Sequence, residues 1–252
     1  MNSNNPFFKN KTYTNAPSVI VHDAVVIDYN QTMTVSGTIN KSFLMLILLV
    51  ASAAVTWSMA SSGQNPMVFT IGGAIVAFIL VLIAVFKPQL SGYLAPGYAI
   101  FEGLFIGGIS AIFEVMYPGI VIQAVSCTFV TFMVCFGLYK YEIVKVTEKF
   151  KSVVLASTLA IASYYLISCL LSLFTSFQPV HYGNSMISIG ISAFVIVIAA
   201  LNLFLDFDQI DKGVQQKMPK YMEWYGAMGL MITLVWLYIE FLRLLSKLNS
   251  RR

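Results

Sequence analysis

The chain has 252 residues, of which 58% are hydrophobic and only 10% are charged, and its formal net charge is +4. This composition excludes an ordinary soluble globular domain. Apolar runs of about 20 residues recur, and each is long enough to cross a roughly 30 Å hydrocarbon core as a helix. The sequence therefore predicts an all-α membrane protein whose outer surface contacts the lipid bilayer.

The first part of the chain, residues 1–41, is polar and rich in Asn, Thr and Ser, and is predicted to be a cytoplasmic N-terminal arm. Residues 42–252 are predicted to form a seven-helix transmembrane domain. The linkers between the apolar segments carry the Gly and Pro residues that are typical of turns. The predicted helices lie near Phe43–Met59, Met67–Phe86, Tyr98–Met116, Gly119–Tyr139, Val153–Phe174, Met186–Leu205 and Tyr225–Leu245.

Lysines alternate between successive loops, and this pattern predicts the orientation of the helices. The arm and the second, fourth and sixth loops carry lysine, whereas the first, third and fifth carry none. The N-terminus is therefore expected in the cytoplasm. Seven crossings would place Lys247, Arg251 and Arg252 outside, so the last segment is expected either to cross against the rule or to re-enter and return.

Two classes of membrane protein are excluded by residue type. A retinal-type photoreceptor needs a lysine inside the last helix, and the one candidate, Lys247, is predicted to lie past the membrane. An intramembrane hydrolase needs a nucleophile–histidine pair or a histidine metal site. The two histidines, His22 and His181, fall in polar flanks. We therefore expect no enzyme activity, no bound cofactor and no nucleic-acid partner.

Charged groups that remain within the apolar runs are the strongest functional signal, because such groups are costly in a membrane and usually face a cavity or a partner. The candidates are Glu102, Glu114, Asp206 and Glu240, whereas Asp208, Asp211 and Glu223 are predicted to lie in the last cytoplasmic loop.

Asp206 continues a stripe of polar and small residues along one helix face, at steps of three and four. The stripe consists of Ser188, Ser192, Val195, Ala199 and Asn202. It predicts either a polar pathway or contacts that only join neighbouring helices. Asp208 lies about 200° around the helix from Asp206, so the two cannot share this face.

The last helix and the third helix each offer a possible partner for Asp206. Gly229, Thr233, Trp236, Glu240 and Arg243 share one face of the last helix, where Glu240 could also simply pair with Arg243. In the third helix, Glu102 lies in "FEGLFIGGIS", whose glycines predict close helix packing. Glu102 is then expected to face the bundle.

From residue 34 to residue 247 the sequence resembles the transmembrane Bax inhibitor family in its bacterial branch, most closely in "NLFLDFDQIDKGV" and "KYMEWYGAMGLMITLVWLYIEFLRLL". The resemblance implies seven helices and a pH-sensitive calcium leak, with a proton-sharing acid pair on the sixth and seventh helices. The motif in "DFDQI" places one acid at Asp206, and the motif in "LYIEF" places the other at Glu240. No arginine precedes Arg243, so the basic latch of the family is missing or replaced.

Two nearby carboxylates cannot both ionise cheaply in a low-dielectric site, and their oxygens are the hard ligands that calcium accepts. We therefore predict an ion and proton site formed by Asp206 and Glu240, with Asn202 beside it. If depth prevents that contact, Glu102 is the expected partner of Asp206. Flux or calcium binding should then titrate between roughly pH 5.5 and 7.5. The alternative function is a bacterial inner-membrane regulator that restrains a membrane-bound protease or another membrane protein.

Overall fold

The structure is a computed structural model that describes residues 32–175, residue 179 and residues 183–251. Most of the predicted arm, together with His22 and His181, lies outside the described residues. The described part forms seven α-helices and one short 3-10 helix, Pro88–Leu90, and contains no β-strand. The helices are α1 (Val35–Ser61), α2 (Met67–Phe86), α3 (Ser91–Met116), α4 (Ile120–Lys140), α5 (Glu148–Phe174), α6 (Met186–Gln215) and α7 (Met222–Asn249).

All seven helices are long and apolar enough to cross a membrane, which confirms the predicted fold class. The predicted bounds of the second helix are correct, but others were too short, because only the apolar run was visible in the sequence. α1 begins at Val35, where the Thr34 hydroxyl accepts a hydrogen bond from the Gly37 amide at 3.0 Å. The last residues of the predicted 1–41 arm are therefore part of α1.

The loop between the last two helices is much shorter than predicted. α6 continues to Gln215, so Asp208 and Asp211 lie in its final turns and not in a loop. α7 begins at Met222, so Glu223 lies in its first turn and is 1% exposed. The prediction of loop positions for these three acids was wrong, because ion pairs and hydrogen bonds within the protein let charged residues extend a helix beyond its apolar run.

Glycines bring α3 close to α1 and α2. A Cβ atom added at Gly103 or Gly107 would collide with α1 backbone carbonyls, and one added at Gly108 would collide with Thr70 of α2. Small residues of this kind let helix backbones approach each other within a membrane. The predicted role of these glycines in close packing is confirmed.

α7 lies at the centre of the bundle and runs antiparallel to α6 without a break. At one end Gly229 of α7 lies against Asp206 of α6. At the other end the Lys247 ammonium contacts Ser188 and Ser192 near the start of α6. α7 therefore extends beside α6 for the full depth of the bundle, as expected of a segment that crosses and does not turn back.

One end of the bundle, here called the basic end, carries Lys41, Lys140, Lys151 and Lys212. There the Lys41 ammonium forms an ion pair with Glu223 and lies 5.3 Å from the centre of the Trp224 ring. The backbone amide and the hydroxyl of Thr34 each donate to the Glu223 carboxylate at 2.9 Å. These contacts join the start of α1 to the start of α7, and they explain how Glu223 can be buried.

Candidate ion site

Asp206 lies on the face of α6 that packs against α7. The position of a Cβ atom at Gly229 would be 3.9 Å from Asp206 Oδ1, so the absence of a side chain there leaves room beside the carboxylate. The Thr233 hydroxyl, one turn along α7, donates to the Gly229 carbonyl at 3.4 Å and lies beside Asp206. The other carboxylate oxygen, Oδ2, is sealed from solvent and has no hydrogen-bond partner among the described residues.

Asp206 lines a small pocket of about 140 Å³ between α2, α6 and α7. Its walls are mainly apolar and small, with Ala84 on α2 and Gly226 and Gly229 on α7. A second pocket of about 410 Å³ lies toward the basic end and shares Gln209 and Gly226 with the first. The two pockets therefore adjoin on the side of Asp206 that faces the basic end.

The remaining acids near the end of α6 do not line the smaller pocket, although Asp208 lines the second one. Asp208 Oδ2 forms ion pairs with Lys151 of α5 at 3.1 Å and with Lys212 at 2.8 Å. The Tyr139 hydroxyl of α4 donates to Asp211 at 2.7 Å. Asp206 and Asp208 therefore lie on different faces, in agreement with the 200° separation derived from the helix repeat.

Asn202 is half-buried, and its amide nitrogen donates away from Asp206. It donates to the Thr158 hydroxyl of α5 and to the Ile198 carbonyl, both at 2.8 Å. Asn202 thus holds α5 against α6, one turn from Asp206. This is the interhelical contact that was one of the two interpretations of the polar stripe.

Glu240 lies in a separate polar cluster formed by α5 and α7. Its Oε1 atom accepts hydrogen bonds from Arg243 at 2.8 Å and from the Tyr165 hydroxyl at 3.1 Å. The guanidinium carbon of Arg243 lies 5.2 Å from the centre of the Tyr165 ring. Glu240 is 1% exposed, and its Oε2 atom has no hydrogen-bond partner in the described chain.

The structure does not bring Asp206 and Glu240 together, and the predicted acid pair is not formed. Asp206 lies at the level of Gly229, and Glu240 is eleven residues further along the continuous helix α7. At 1.5 Å per residue this is a separation of about 16 Å along the axis. Contact required α7 to begin later than Tyr225, whereas it begins earlier. A calcium ion cannot be shared by two carboxylates at that distance.

Glu102, the other proposed partner, lies at the depth of Asp206. The Ser110 and Tyr238 hydroxyls are 2.6 Å apart, which aligns α3 with α7 and places Glu102, two turns earlier, level with Leu230. No hydrogen bond joins Glu102 to Asp206 within the described residues. Glu102 is therefore a second acid at the depth of Asp206, but it is not hydrogen-bonded to Asp206.

Glu114 has a structural role at the opposite end of the bundle. Its two carboxylate oxygens accept hydrogen bonds from the amides of Gly119 at 2.6 Å and Val121 at 3.1 Å. These amides lie at the start of α4, where backbone donors have no partner within the helix. Glu114 is therefore accounted for by helix capping.

The burial of Lys247 was not predicted from the sequence. Near the end of α7 it is only 4% exposed and packs against α6. Its ammonium donates to the Ser192 hydroxyl at 2.7 Å and to the Ser188 carbonyl at 3.2 Å. The signal in the sequence was the spacing of four residues from Arg243, which continues the polar face of α7 to its end.

The described residues contain no group of three or more His, Cys, Asp or Glu side chains that could hold a metal ion. A tight calcium cage of several carboxylates is thus absent from this part of the chain. The site thus contains one carboxylate, Asp206, which lines a pocket and has one oxygen without a hydrogen-bond partner among the described residues. A second carboxylate, Glu240, is paired with Arg243.

Comparison with known proteins agrees with this architecture. No curated protein matches the chain. The sequence profile of a membrane protein family, described as Bax inhibitor 1 like, matches residues 3–250, which is nearly the whole chain. A match of this extent identifies the family without depending on any single motif, and the seven apolar helices agree with an integral membrane protein. The chain therefore belongs to the Bax inhibitor 1-like family.

Proposed function

We propose that this protein is a pH-sensitive cation leak channel, with calcium as the ion, and that Asp206 is the acid in its path. The observation that carries the proposal is the Asp206 Oδ2 atom, which is buried, accepts no hydrogen bond from the described residues and lies beside a pocket. A buried acceptor without a partner costs free energy, so its persistence calls for a ligand or a proton.

The chemistry of the pocket suits a permeating ion better than a stored one. A carboxylate oxygen is a hard ligand that attracts calcium. A single carboxylate with one neighbouring hydroxyl binds a cation weakly, and conduction requires an ion to leave as well as to enter. The proton competes with calcium for the same oxygen, so flux should fall as the pH is lowered. Glu102 at the same depth adds a second negative charge near the path.

The path is proposed to open from the cytoplasm, because the basic end carries the lysines that are typical of cytoplasmic loops. The proposed location is a bacterial inner membrane with a cytoplasmic N-terminus. The exposed Asn184, between α5 and α6, tests the orientation. In a variant without native cysteines, Asn184→Cys should react with an impermeant thiol reagent from outside the cell only. Reaction from the cytoplasmic side only would reverse the topology.

The function is tested by calcium flux into liposomes that contain the purified protein. Asp206→Asn removes the charge but keeps the shape, and should lower flux by about tenfold or more, since a charge at this depth is worth a few kcal/mol. Asp211→Asn, at an acid of the same helix that lines neither pocket, is the matched control and should retain most of the flux. Equal flux in the wild type and both variants would refute the channel and favour the regulator of membrane partners.

A further inference from the structure

The three residues before α1, Thr32–Thr34, lie along the loop that joins α6 to α7, and they are here called the stem. Thr32 pairs with Pro219 in an antiparallel bridge, and the Met33 amide donates to the Met218 carbonyl at 2.7 Å. The Met33 side chain is only 4% exposed. The stem is therefore tied to the basic end, and its one apolar side chain is directed into the protein.

Met33 fills a notch between α6 and α7 that two glycines form. A Cβ atom at Gly213 of α6 would lie 2.8 Å from Met33 Sδ, and one at Gly226 of α7 would lie 3.5 Å from Met33 Cε. The first distance is a collision, so the Met33 side chain occupies space that any other residue at position 213 would take. Methionine is unbranched and suits an irregular gap of this kind.

The notch lies at the outer end of the pockets beside Asp206. Met33 and Gly213 line the larger pocket, and Gly226 lines both pockets. Gly213 is seven residues beyond Asp206 on α6, which is about 10 Å along the helix toward the basic end. The Met33 side chain therefore fills space between α6 and α7 on the basic-end side of Asp206.

Polar contacts on the other side of Met33 hold the stem to α7. The Thr34 amide and hydroxyl each donate to Glu223 at 2.9 Å. The same carboxylate pairs with Lys41, and a Cβ atom at Gly37 would collide with it. The stem precedes α1 and belongs to none of the seven helices. It can therefore detach from α6 and α7 while these helices keep their backbone hydrogen bonds.

We propose that the stem is a plug of the ion path: Met33 closes the notch between α6 and α7, and its withdrawal opens the larger pocket toward Asp206. A thioether is not one of the hard oxygen ligands that calcium requires, and an apolar side chain in the notch excludes the water of a hydrated ion. The contacts of Met33 with Met218 and of Thr34 with Glu223 hold the plug in its closed position. This inference rests on the proposed function, because it regulates access to the same acid.

The first test is calcium flux into liposomes that contain the full chain. Met33→Ala should raise flux by about tenfold, because loss of a buried methionine side chain shifts an equilibrium between closed and open states by at least that factor. Met45→Ala is the matched control, since Met45 is also buried but lines neither pocket. Addition of Asp206→Asn to Met33→Ala should abolish the gain. No rise in Met33→Ala, or an equal rise in Met45→Ala, would overturn the inference.

The second test locks the stem in place. Pro219 has no N–H, so Thr32 and Pro219 form a non-hydrogen-bonded pair, whose Cα atoms lie about 4.5 Å apart and within reach of a disulfide. In a variant without native cysteines, Thr32→Cys with Pro219→Cys should lose most of its flux on oxidation and regain it on reduction. Thr32→Cys alone should respond to neither treatment. Full flux after complete cross-linking would refute the plug.

The third test separates the plug from the channel, because it needs no ion flux. Ala84→Cys places a thiol on the α2 wall of the smaller pocket, where Ala84 is 2% exposed. In solubilised protein without native cysteines, Met33→Ala should speed the reaction of this thiol with a small charged reagent by about tenfold, whereas Met45→Ala should not. An unchanged rate in Met33→Ala would refute the plug, even if Asp206→Asn abolishes flux. A faster reaction without flux in any variant would support the plug and refute the channel.

Discussion

Asp206 and Glu240 lie on adjoining helices, yet only Glu240 has a cation within ion-pair distance in the described part of the chain. The Arg243 guanidinium and the Tyr165 hydroxyl both donate to one oxygen of Glu240. Asp206 has instead a glycine and a threonine opposite it, and a pocket beside it. The comparison teaches that burial of an acid is not by itself a functional signal, and that the functional candidate is the acid whose charge is left uncompensated.

The two ends of α7 differ in the same way. At the basic end Lys41 pairs with Glu223, so each charge has an opposite partner. At the other end Lys247 has only neutral oxygen ligands at hydrogen-bond distance. Uncompensated charge thus occurs twice along the contact of α6 with α7, once as a carboxylate and once as an ammonium. Asp206 belongs to the polar stripe of α6, and Lys247 contacts the first residues of that stripe.

The largest effect is expected when the compensated acid loses its cation. Arg243→Met leaves the Glu240 charge buried without a partner, which should lower the free energy of unfolding by about 3–5 kcal/mol. Unfolding in mixed detergent micelles by titration with sodium dodecyl sulfate measures this. Addition of Glu240→Gln should restore much of the loss. If Arg243→Met is as stable as the wild type, Glu240 is not compensated in the way described.

A smaller effect is expected from a second acid placed beside Asp206. Gly229→Asp would build the acid pair that the native site lacks, because the Gly229 position lies against Asp206 Oδ1. Like charges at short range retain a proton, so the midpoint of the pH dependence of calcium flux should move to higher pH by about one unit or more. Gly229→Asn, of equal size but neutral, serves as the control. A midpoint that moves equally in both variants would show a steric effect and not a charge effect.

The smallest effect is expected from loss of the Tyr165 hydroxyl, the uncharged hydrogen-bond donor to Glu240. Tyr165→Phe removes the hydroxyl that contacts both Glu240 and Arg243, and should lower the free energy of unfolding by about 1–3 kcal/mol, less than Arg243→Met. Calcium flux should change little, because Tyr165 is remote from Asp206. Tyr141→Phe, at a residue that is 76% exposed, is the control for loss of a hydroxyl. A larger loss from Tyr165→Phe than from Arg243→Met would reverse the assigned order.

The fold could be predicted from the sequence because long apolar runs have few alternatives in a membrane. The separate faces of Asp206 and Asp208 followed from the helix repeat. The helix ends could not be predicted in this way, since contacts such as that of Lys41 with Glu223 let charged residues remain helical. The predicted pair of Asp206 and Glu240 came instead from the family resemblance, whereas the depth of the two acids along their helices already argued for their separation.

The hydrogen-bond partners of the buried charged residues could not all be predicted from the sequence either. Spacing along α7 predicted that Glu240 and Arg243 share a face, and they do pair. It could not show that Tyr165 of α5 completes that cluster, because the contact joins residues 75 positions apart. Burial of Lys247 depends likewise on the register of α6 against α7, which is a property of packing and not of periodicity.

Asp206, and not Glu240, is the acid proposed for the ion path. The most direct measurement is calcium flux into liposomes for Asp206→Asn and Glu240→Gln, prepared in parallel and matched for the amount of folded protein. The structure predicts a loss of flux of about tenfold or more in Asp206→Asn. Glu240→Gln should retain the Asp206-dependent flux, because its carboxylate lies about 16 Å further along α7. A loss in Glu240→Gln with normal flux in Asp206→Asn would contradict the account.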